Sequence, residues 1–598
     1  MFTLRRLTAA FSPVAREREV TSVYPAGGTA AGAFPLHRFH GGIHPPGHKA
    51  DSSGSPIAPL APEGLLVLPL QQHIGQSAEP VVEVGEQVLK GQLLAKPVGY
   101  ISAALHAPTS GIVAAIGPAP TPHPSGLPQL AITLQPDGAD RWIERQPVAD
   151  FRKLDPSALR TLIRNAGIVG LGGASFPTAV KMNPGEHHDP VLILNGAECE
   201  PYITCDDALM RERADEILQG AEIMLHALGG RRCLVGIEGN KPEAIAAMRR
   251  AAAGHADMTV VEVPTVYPMG GAKQLIEALT GRQIPAGGHS IDIGVVCVNV
   301  GTAYATKRAV LDGEPLVSRI VTVAGHVRQP QNFEAPLGLS MERLIQAAGG
   351  PAGPVDRVLM GGPLMGVALH RTDVPVIKAA NCVLVMAPEQ AQPVHEAMPC
   401  IRCAACVEAC PASLMPHDLY WFARAQNFDK AQEYNIFDCI ECGACAYVCP
   451  SEIPLVHYFR YAKQEIAAIE RDREKADLAR RRNEARLARI AREKAEAEAK
   501  RAEKMAAMAR TKEAQANAAT IGEAAAGAAT PAATLSPEQK AAIEAALARR
   551  REREAAAGNA DKPKHELTPE QLAKIEAAKA RKAAQTAGPA PERDTKSQ

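Results

Sequence analysis

Eight of the 13 cysteines in this 598-residue chain stand in one stretch, Cys400–Pro450. Cys400, Cys403, Cys406 and Cys410 lead into Pro411; Cys439, Cys442, Cys445 and Cys449 lead into Pro450. Each run is C-x2-C-x2-C-x3-C-P, the spacing with which thiolates hold a [4Fe–4S] cubane. Three close cysteines cover one side of a cluster. The fourth, beyond the tight turn, ligates the other cluster where two occur together. The expected metal sets are therefore Cys400, Cys403, Cys406 and Cys449 for one cluster, and Cys410, Cys439, Cys442 and Cys445 for the other. A zinc site closes with paired C-x2-C units and has no use for two identical sets of four. Disulfides among four thiols in so short a run would close strained loops. The chemistry implied is single-electron transfer, and no catalytic acid or base is expected.

The rest of the chain must hold these cysteines and feed them. At 598 residues it is too long for one core, so several domains are expected. The other five cysteines (Cys199, Cys205, Cys233, Cys297, Cys382) have no pairing pattern, which points to a reducing compartment. A net charge of zero and 4% aromatic residues argue against a nucleic-acid partner. No apolar stretch reaches the ~18 residues of a membrane helix. The N-terminus has arginines but no apolar core of a signal peptide, so membrane association is expected to be peripheral.

In chain order, residues 1–35 read as a leader without periodicity. Phe39–Lys49 carries His40, His44 and His48 among glycines and prolines. No cysteine or carboxylate joins them at ligand spacing, so an ordered turn is expected over a metal site. Residues 36–150 are β-rich: the glycine-turned stretch Val81–Leu94 and His106–Val113 resemble the two halves of a biotinyl/lipoyl-type β sandwich. Lys96–Tyr100 is not a carrier tip, so the module is read as structural. Residues 151–317 alternate helix and strand, with a short amphipathic helix over Leu159–Ala166. The helix runs into Gly170-Leu-Gly172-Gly173-Ala-Ser-Phe176-Pro-Thr-Ala-Val-Lys181, where glycine backbone N–H groups and a lysine suit a phosphate. The buried-type strand Val191–Leu194 then delivers Asn195, Glu198 and Glu200 at its C-terminal end, where open α/β sheets bind ligands. A second glycine turn, Tyr267–Leu275, follows the strand Val260–Val263, and Asn299 and Thr302 follow the strand Val295–Val298.

Gly170–Lys181 and Asn195–Pro201 resemble the FMN-binding loops of the flavoprotein subunit of respiratory complex I and of NAD-linked hydrogenases. Leu171 stands where that family has Arg, Ala197 where it has Asp, and Gly271 and Ala272 where it has adjacent glutamates. The resemblance implies FMN contacts from Gly170, Gly172, Gly173, Phe176, Lys181, Asn195, Glu198, Glu200, Asn299 and Thr302. Residues 318–388 resemble the family's soluble-ligand-binding β-grasp (SLBB-type) module, with Ser340 capping a helix. A packing role between the flavin domain and the clusters is expected there.

Residues 389–460 hold the cysteines; the 28 residues between Cys410 and Cys439 have helical spacing (Leu414, Leu419, Trp421, Phe422), so a helical two-cluster ferredoxin is expected. Residues 461–598 are an Ala-, Lys- and Glu-rich tail, read as solvated helix and disordered string. It carries a repeated cassette at Leu535–Glu544 and Leu567–Glu576. The order of modules gives a multidomain α+β protein that resembles the C-subunit family of Rnf-type (Rsx) electron transport complexes. That resemblance implies a peripheral protein on the cytoplasmic side of a bacterial inner membrane. It further implies electron exchange between NADH and ferredoxin through FMN, two [4Fe–4S] clusters and integral membrane subunits, coupled to ion translocation. Two other readings stay open: a wiring scaffold whose flavin fold is vestigial, and a soluble NAD-linked hydrogenase or dehydrogenase subunit.

Overall fold

A computed structural model describes residues 34–185, 187, 189–390, 397–523 and parts of 537–549. The leader up to residue 33 and the second tail cassette lie outside the described residues, and the first cassette is described only in part. The chain divides into two compact units, Met1–Asp477 and Leu478–Gln598.

The first module is built on β1 (Leu66–Pro69), β2 (Leu93–Lys96), β3 (Gly111–Ala119) and β4 (Gln129–Pro136). A four-stranded sheet pairs β1 with β4, β4 with β3, and β3 with Gln87–Val88, all antiparallel. A three-stranded sheet places β2 between Glu79–Pro80 and Leu105–His106. Alternation along β1 puts Leu66 and Leu68 inside, and in β2 the adjacent Leu94 and Ala95 are both buried, where the pairing with Leu105–His106 shifts register.

An α/β module follows: α1 (Pro156–Asn165), β5 (Val191–Gly196), α2 (Cys205–Glu212), α3 (Ala214–Leu228), β6 (Arg232–Glu238), α4 (Pro242–Ala252), β7 (Met258–Val263), α5 (Ala272–Thr280), β8 (Val295–Asn299) and α6 (Val300–Lys307). The strands form one parallel sheet in the order β7–β6–β5–β8. Apolar runs such as Leu192-Ile-Leu194 and Val295–Val298 are buried, as strands covered by crossover helices require. Asp155 caps α1 by accepting from Ser157 N, and Pro156 opens the helix. Gly220 lets α3 approach α6: a Cβ there would sit 1.9 Å from Ala303 O.

A six-stranded sheet holds β9 (Ser318–Gly325), β10 (Gln331–Pro336), β11 (Arg357–Met360) and β12 (Cys382–Met386), with α7 (Met341–Ala347) capped by Ser340. Its edge is Ala58–Pro59, which pairs in parallel with β10. Sandwich, α/β module and this sheet share one apolar core, from Leu94 through Ile163 and Leu192 to Val383. Lys378 is buried in it and donates to Ala104 O (2.7 Å) and Gly167 O (2.8 Å), so one side chain ties three modules. Burial pushes its ammonium down to about 7.

The cysteine stretch has its own core and, among the described residues, only helices: α8 (Ala405–Glu408), α9 (Pro416–Arg424), α10 (Phe428–Glu433) and α11 (Ala444–Tyr447), with a short 3-10 turn at Ile436–Asp438. Directly after it, α12 (Leu455–Glu523) contributes Val456, Phe459 and Ile466 to that core through its first turns. Beyond residue 469 its described side chains are exposed. No described helix is long and apolar enough to cross a membrane.

Candidate functional site

The cysteine loops are one backbone shape written twice, 39 residues apart. Arg402 (φ 56°) and Ala404 (φ 63°) match Glu441 (φ 58°) and Gly443 (φ 81°), and Ser413 and Glu452 share φ 51°. These left-handed turns bend each C-x2-C-x2-C segment around a common centre, at a steric cost to every non-glycine residue that adopts them. Backbone N–H groups reach the sulfurs at 3.4 Å: Arg402 N to Cys400 Sγ, Glu441 N to Cys439 Sγ, and Leu414 N to Cys410 Sγ. Such bonds stabilise thiolates and tune a bound cluster.

The thiols fall into two groups by the charges they feel. Burial pushes Cys406 up to about 11, and Cys449, Cys403 and Cys400 add to the rise. Burial also pushes Cys442 up to about 12, with Cys439 and Cys410 adding to it. Cys445 lies well above the ordinary thiol value, through burial and then Cys442, Cys439, Cys410 and lastly Cys406. So Cys410 stands with the second run, Cys449 stands with the first, and the two groups adjoin. Thiols so disfavoured as anions need a cationic centre, which cluster iron supplies. Cys410, Cys439, Cys442 and Cys445 line one pocket, which Leu419, Val456 and Phe459 wall with apolar side chains, a shell suited to a cubane. Donor set, backbone cage and cavity fit iron–sulfur clusters.

The Gly170–Lys181 loop is closed at its base by Gly170 N to Phe176 O (2.8 Å) and Ser175 N to Gly170 O (3.1 Å). That leaves Gly172, Gly173 and Ala174 exposed at the tip, with Gly173 at φ 109°. Gly172 abuts Asn299: a Cβ there would lie 3.3 Å from Asn299 Cβ. Lys181 and Phe176 are half-buried, and the buried hydroxyls of Ser175 and Thr178 have no hydrogen-bond partner among the described residues. Exposed amides, a lysine and two orphaned hydroxyls fit a phosphate-bearing group such as FMN.

The polar side chains expected to touch that group are engaged within the protein. Asn195 Nδ2 donates to Gly270 O (2.8 Å), and its Oδ1 accepts from Ala197 N. Glu198 accepts from Asp206 N (2.8 Å) and Asp207 N, which caps α2. Glu200 is turned toward the β-grasp module, accepting from Leu364 N (2.8 Å) and Met365 N (3.0 Å). Asn299 caps α6 through Gly301 N (2.8 Å) and donates to Asp206 Oδ2 (2.6 Å). Thr302 Oγ1 accepts from Leu171 N (2.8 Å), while the Leu171 side chain is buried in the core. These five side chains shape the loops around the sheet's C-terminal edge. Asp206, between Glu198 and Asn299, is pushed above the ordinary carboxylate range, chiefly by burial and next by the Glu198 charge.

Sequence reasoning missed the groups that hold these loops. Lys49 Nζ donates to Glu198 O (2.7 Å), Glu200 O (2.8 Å) and Ile203 O (2.6 Å). Lys241 Nζ shares Glu198 O (3.1 Å) and pairs with the buried Glu238 (2.9 Å). Tyr267 reaches from the α/β module to Cys442 O through its hydroxyl. The motif around His40 was visible, but its partners lie hundreds of residues away. His40 Nδ1 donates to Cys410 O (2.8 Å), His44 Nδ1 to Thr265 O (3.1 Å), and the His48 ring stacks on Tyr202 at 4.4 Å.

Four family models match the chain: the RnfC barrel sandwich hybrid domain over residues 37–139, the Nuo51 FMN-binding domain over 163–308, the SLBB domain over 320–368 and the 4Fe-4S dicluster domain over 399–453. They agree with the multidomain layout and with FMN and iron–sulfur clusters as cofactors. The C subunit of the ion-translocating oxidoreductase complex of Yersinia pestis bv. Antiqua is 51% identical over 77% of this chain and 74% of its own length. The protein of the same name from Erwinia tasmaniensis is 51% identical over 78% of this chain and 58% of its own length. The chain thus spans less than two thirds of the Erwinia relative. Among solved structures, an NAD+-reducing [NiFe]-hydrogenase in the H2-reduced state aligns at 20% identity and a TM-score of 0.38, over 55% of this chain and 64% of that one. By identity and coverage against the Yersinia relative, the chain belongs to the family of ion-translocating oxidoreductase complex C subunits.

Proposed function

We propose that this protein carries electrons between NADH and ferredoxin within a membrane complex that couples the transfer to ion translocation. It lies peripherally on the cytoplasmic side of a bacterial inner membrane, against integral membrane subunits of the same complex. The observation that carries this reading is the doubled cysteine cage, joined through Tyr267 to the parallel-sheet module that bears the glycine loop, in a chain of this family.

Bound FMN would supply conversion of a two-electron hydride into single electrons, and bound cubanes would supply one-electron storage. Cys400, Cys403, Cys406 and Cys449 hold one cluster; Cys410, Cys439, Cys442 and Cys445 hold the other. The backbone of Gly172–Ala174 and the Lys181 ammonium would hold the flavin phosphate, and Phe176 would offer its ring to the flavin. Leu419 and Phe459 keep water from the second cluster. Glu198, Asn299 and Thr302 act by holding loops in place.

A second reading, a wiring scaffold with an empty flavin fold, is favoured by the internal engagement of Asn195, Glu198, Glu200, Asn299 and Thr302. One preparation separates the two. Anaerobically purified protein is assayed for iron, sulfide and flavin, then titrated with NADH under EPR. The proposal expects about eight irons, bound FMN, and bleaching by NADH. About four irons would remove the two-cluster assignment. Full iron without flavin would leave the scaffold.

A further inference from the structure

Between the α/β sheet and the cysteine cage runs the His/Gly/Pro segment that the proposed chemistry does not use. Its backbone is hydrogen-bonded on both sides. Toward the cage, Gly42 N donates to Ala409 O (3.1 Å), and His40 reaches Cys410 O. Toward the sheet, Ile43 and Tyr267 exchange N–H to carbonyl bonds of 2.8 and 2.9 Å, and the same Tyr267 holds Cys442 O. Further on, Lys49 grips the loop after β5. Two consecutive glycines make this passage possible. A Cβ at Gly41 (φ 71°) would lie 2.8 Å from Ala409 C and O and from Cys410 C; one at Gly42 (φ 98°) would lie 2.6 Å from Val266 Cγ1. Any side chain here pushes the cage and the sheet apart.

We propose that residues 40–49 are a positioning strap. The strap fixes the distance between the second cysteine set and the flavin-side loops, and so sets the rate at which electrons cross between them. This rests on the flavin-to-cluster reading above. In that reading each NADH is oxidised to NAD+, its two electrons reduce the two clusters by one each, and one proton leaves to solvent. His40, Gly41 and Lys49 touch neither reaction partner; they act through Cys410, Ala409 and the loop carbonyls.

The test uses full-chain protein, anaerobically purified, as wild type, Gly41→Ala, His40→Ala and His40→Gln. Iron, flavin and the rate of flavin bleaching by NADH are expected to be unchanged. Cluster reduction within one turnover, followed by freeze-quench EPR, is expected to slow severalfold in Gly41→Ala, because electron transfer falls off steeply with added distance. His40→Ala is expected to slow it less, and His40→Gln, which keeps an N–H donor, to restore it. Cluster reduction at the wild-type rate in Gly41→Ala and His40→Ala, with cofactors intact, would overturn the strap. If Gly41→Ala fails to assemble, the His40 pair decides: a slow Ala and a restored Gln support the strap, and equal wild-type rates overturn it. If NADH does not bleach the wild-type flavin, the nicotinamide reading falls. Photoreduction of the flavin then starts the same measurement and judges the strap separately. Wild-type protein without flavin overturns both.

Discussion

The two cysteine runs share a backbone and differ in their surroundings. Around the first, Cys403 is exposed, as are Met398 (61%) and Ile401 (68%), and the turn residue Arg402 faces solvent. Around the second, Cys442 is buried, and the matching turn residue Glu441 is held by Lys463 (2.8 Å) and Arg460 (2.9 Å). Lys463 also donates to Cys439 O (2.7 Å). At the second turn position the first run has Ala404, while the second has Gly443, where a Cβ would lie 2.8 Å from Leu364 O. Local spacing makes the cage, and tertiary neighbours decide which residues it tolerates and which field its contents feel. The first run opens to solvent, and the second is built into the α/β and β-grasp modules.

The largest expected effect concerns the crossing of the fourth ligands. Cys449→Ala and Cys403→Ala should each remove the same one of two EPR signals, with iron falling from about eight to about four. Cys410→Ala and Cys442→Ala should remove the other. A signal lost in common by Cys449→Ala and Cys442→Ala would break the assignment and turn the comparison into one of two separate loops.

Next comes an exchange of the second turn residues. Gly443→Ala, which gives the second run the residue of the first, should cost about 3 kcal/mol from a left-handed alanine driven into Leu364 O. Ala404→Gly should stay within about 1 kcal/mol. Thermal melts of the anaerobic holoprotein measure both, and equal effects would erase the difference between the runs.

The smallest effect is electrostatic. Lys463→Met removes a cation beside Cys439, so reduction of the second cluster should become harder by roughly 60 mV, the one-electron equivalent of about 1.4 kcal/mol. Arg402→Gln, at an exposed turn, should shift the first cluster much less, because water screens it. Redox titration with EPR detection gives both shifts, and a larger one for Arg402→Gln would reverse the order.

What could be read from the sequence was local. The cysteine spacing, the buried runs Leu192–Leu194 and Val295–Val298, the Ser340 cap and the helical spacing with few strand signals after Cys410 all act over a few residues, and each has its counterpart in the fold. Glu200 shows where that stops. Its place after a strand end suggested a ligand, but the carboxylate accepts amides 164 and 165 residues later in the chain. The glycine pair Gly41–Gly42 was legible as a turn; that it wedges between two modules depends on the Val266 side chain and on backbone atoms of Tyr267, Ala409 and Cys410, which no local pattern brings together.

The Lys49 ammonium, met by three carbonyl oxygens, is seated as a metal cation would be, with the peptide chain as its tether. The tether keeps the seat filled at any ionic strength, since its effective concentration is that of a neighbouring group and not of the medium. In a family named for moving ions, the loop beside the flavin fold is therefore shaped by a charge that cannot exchange.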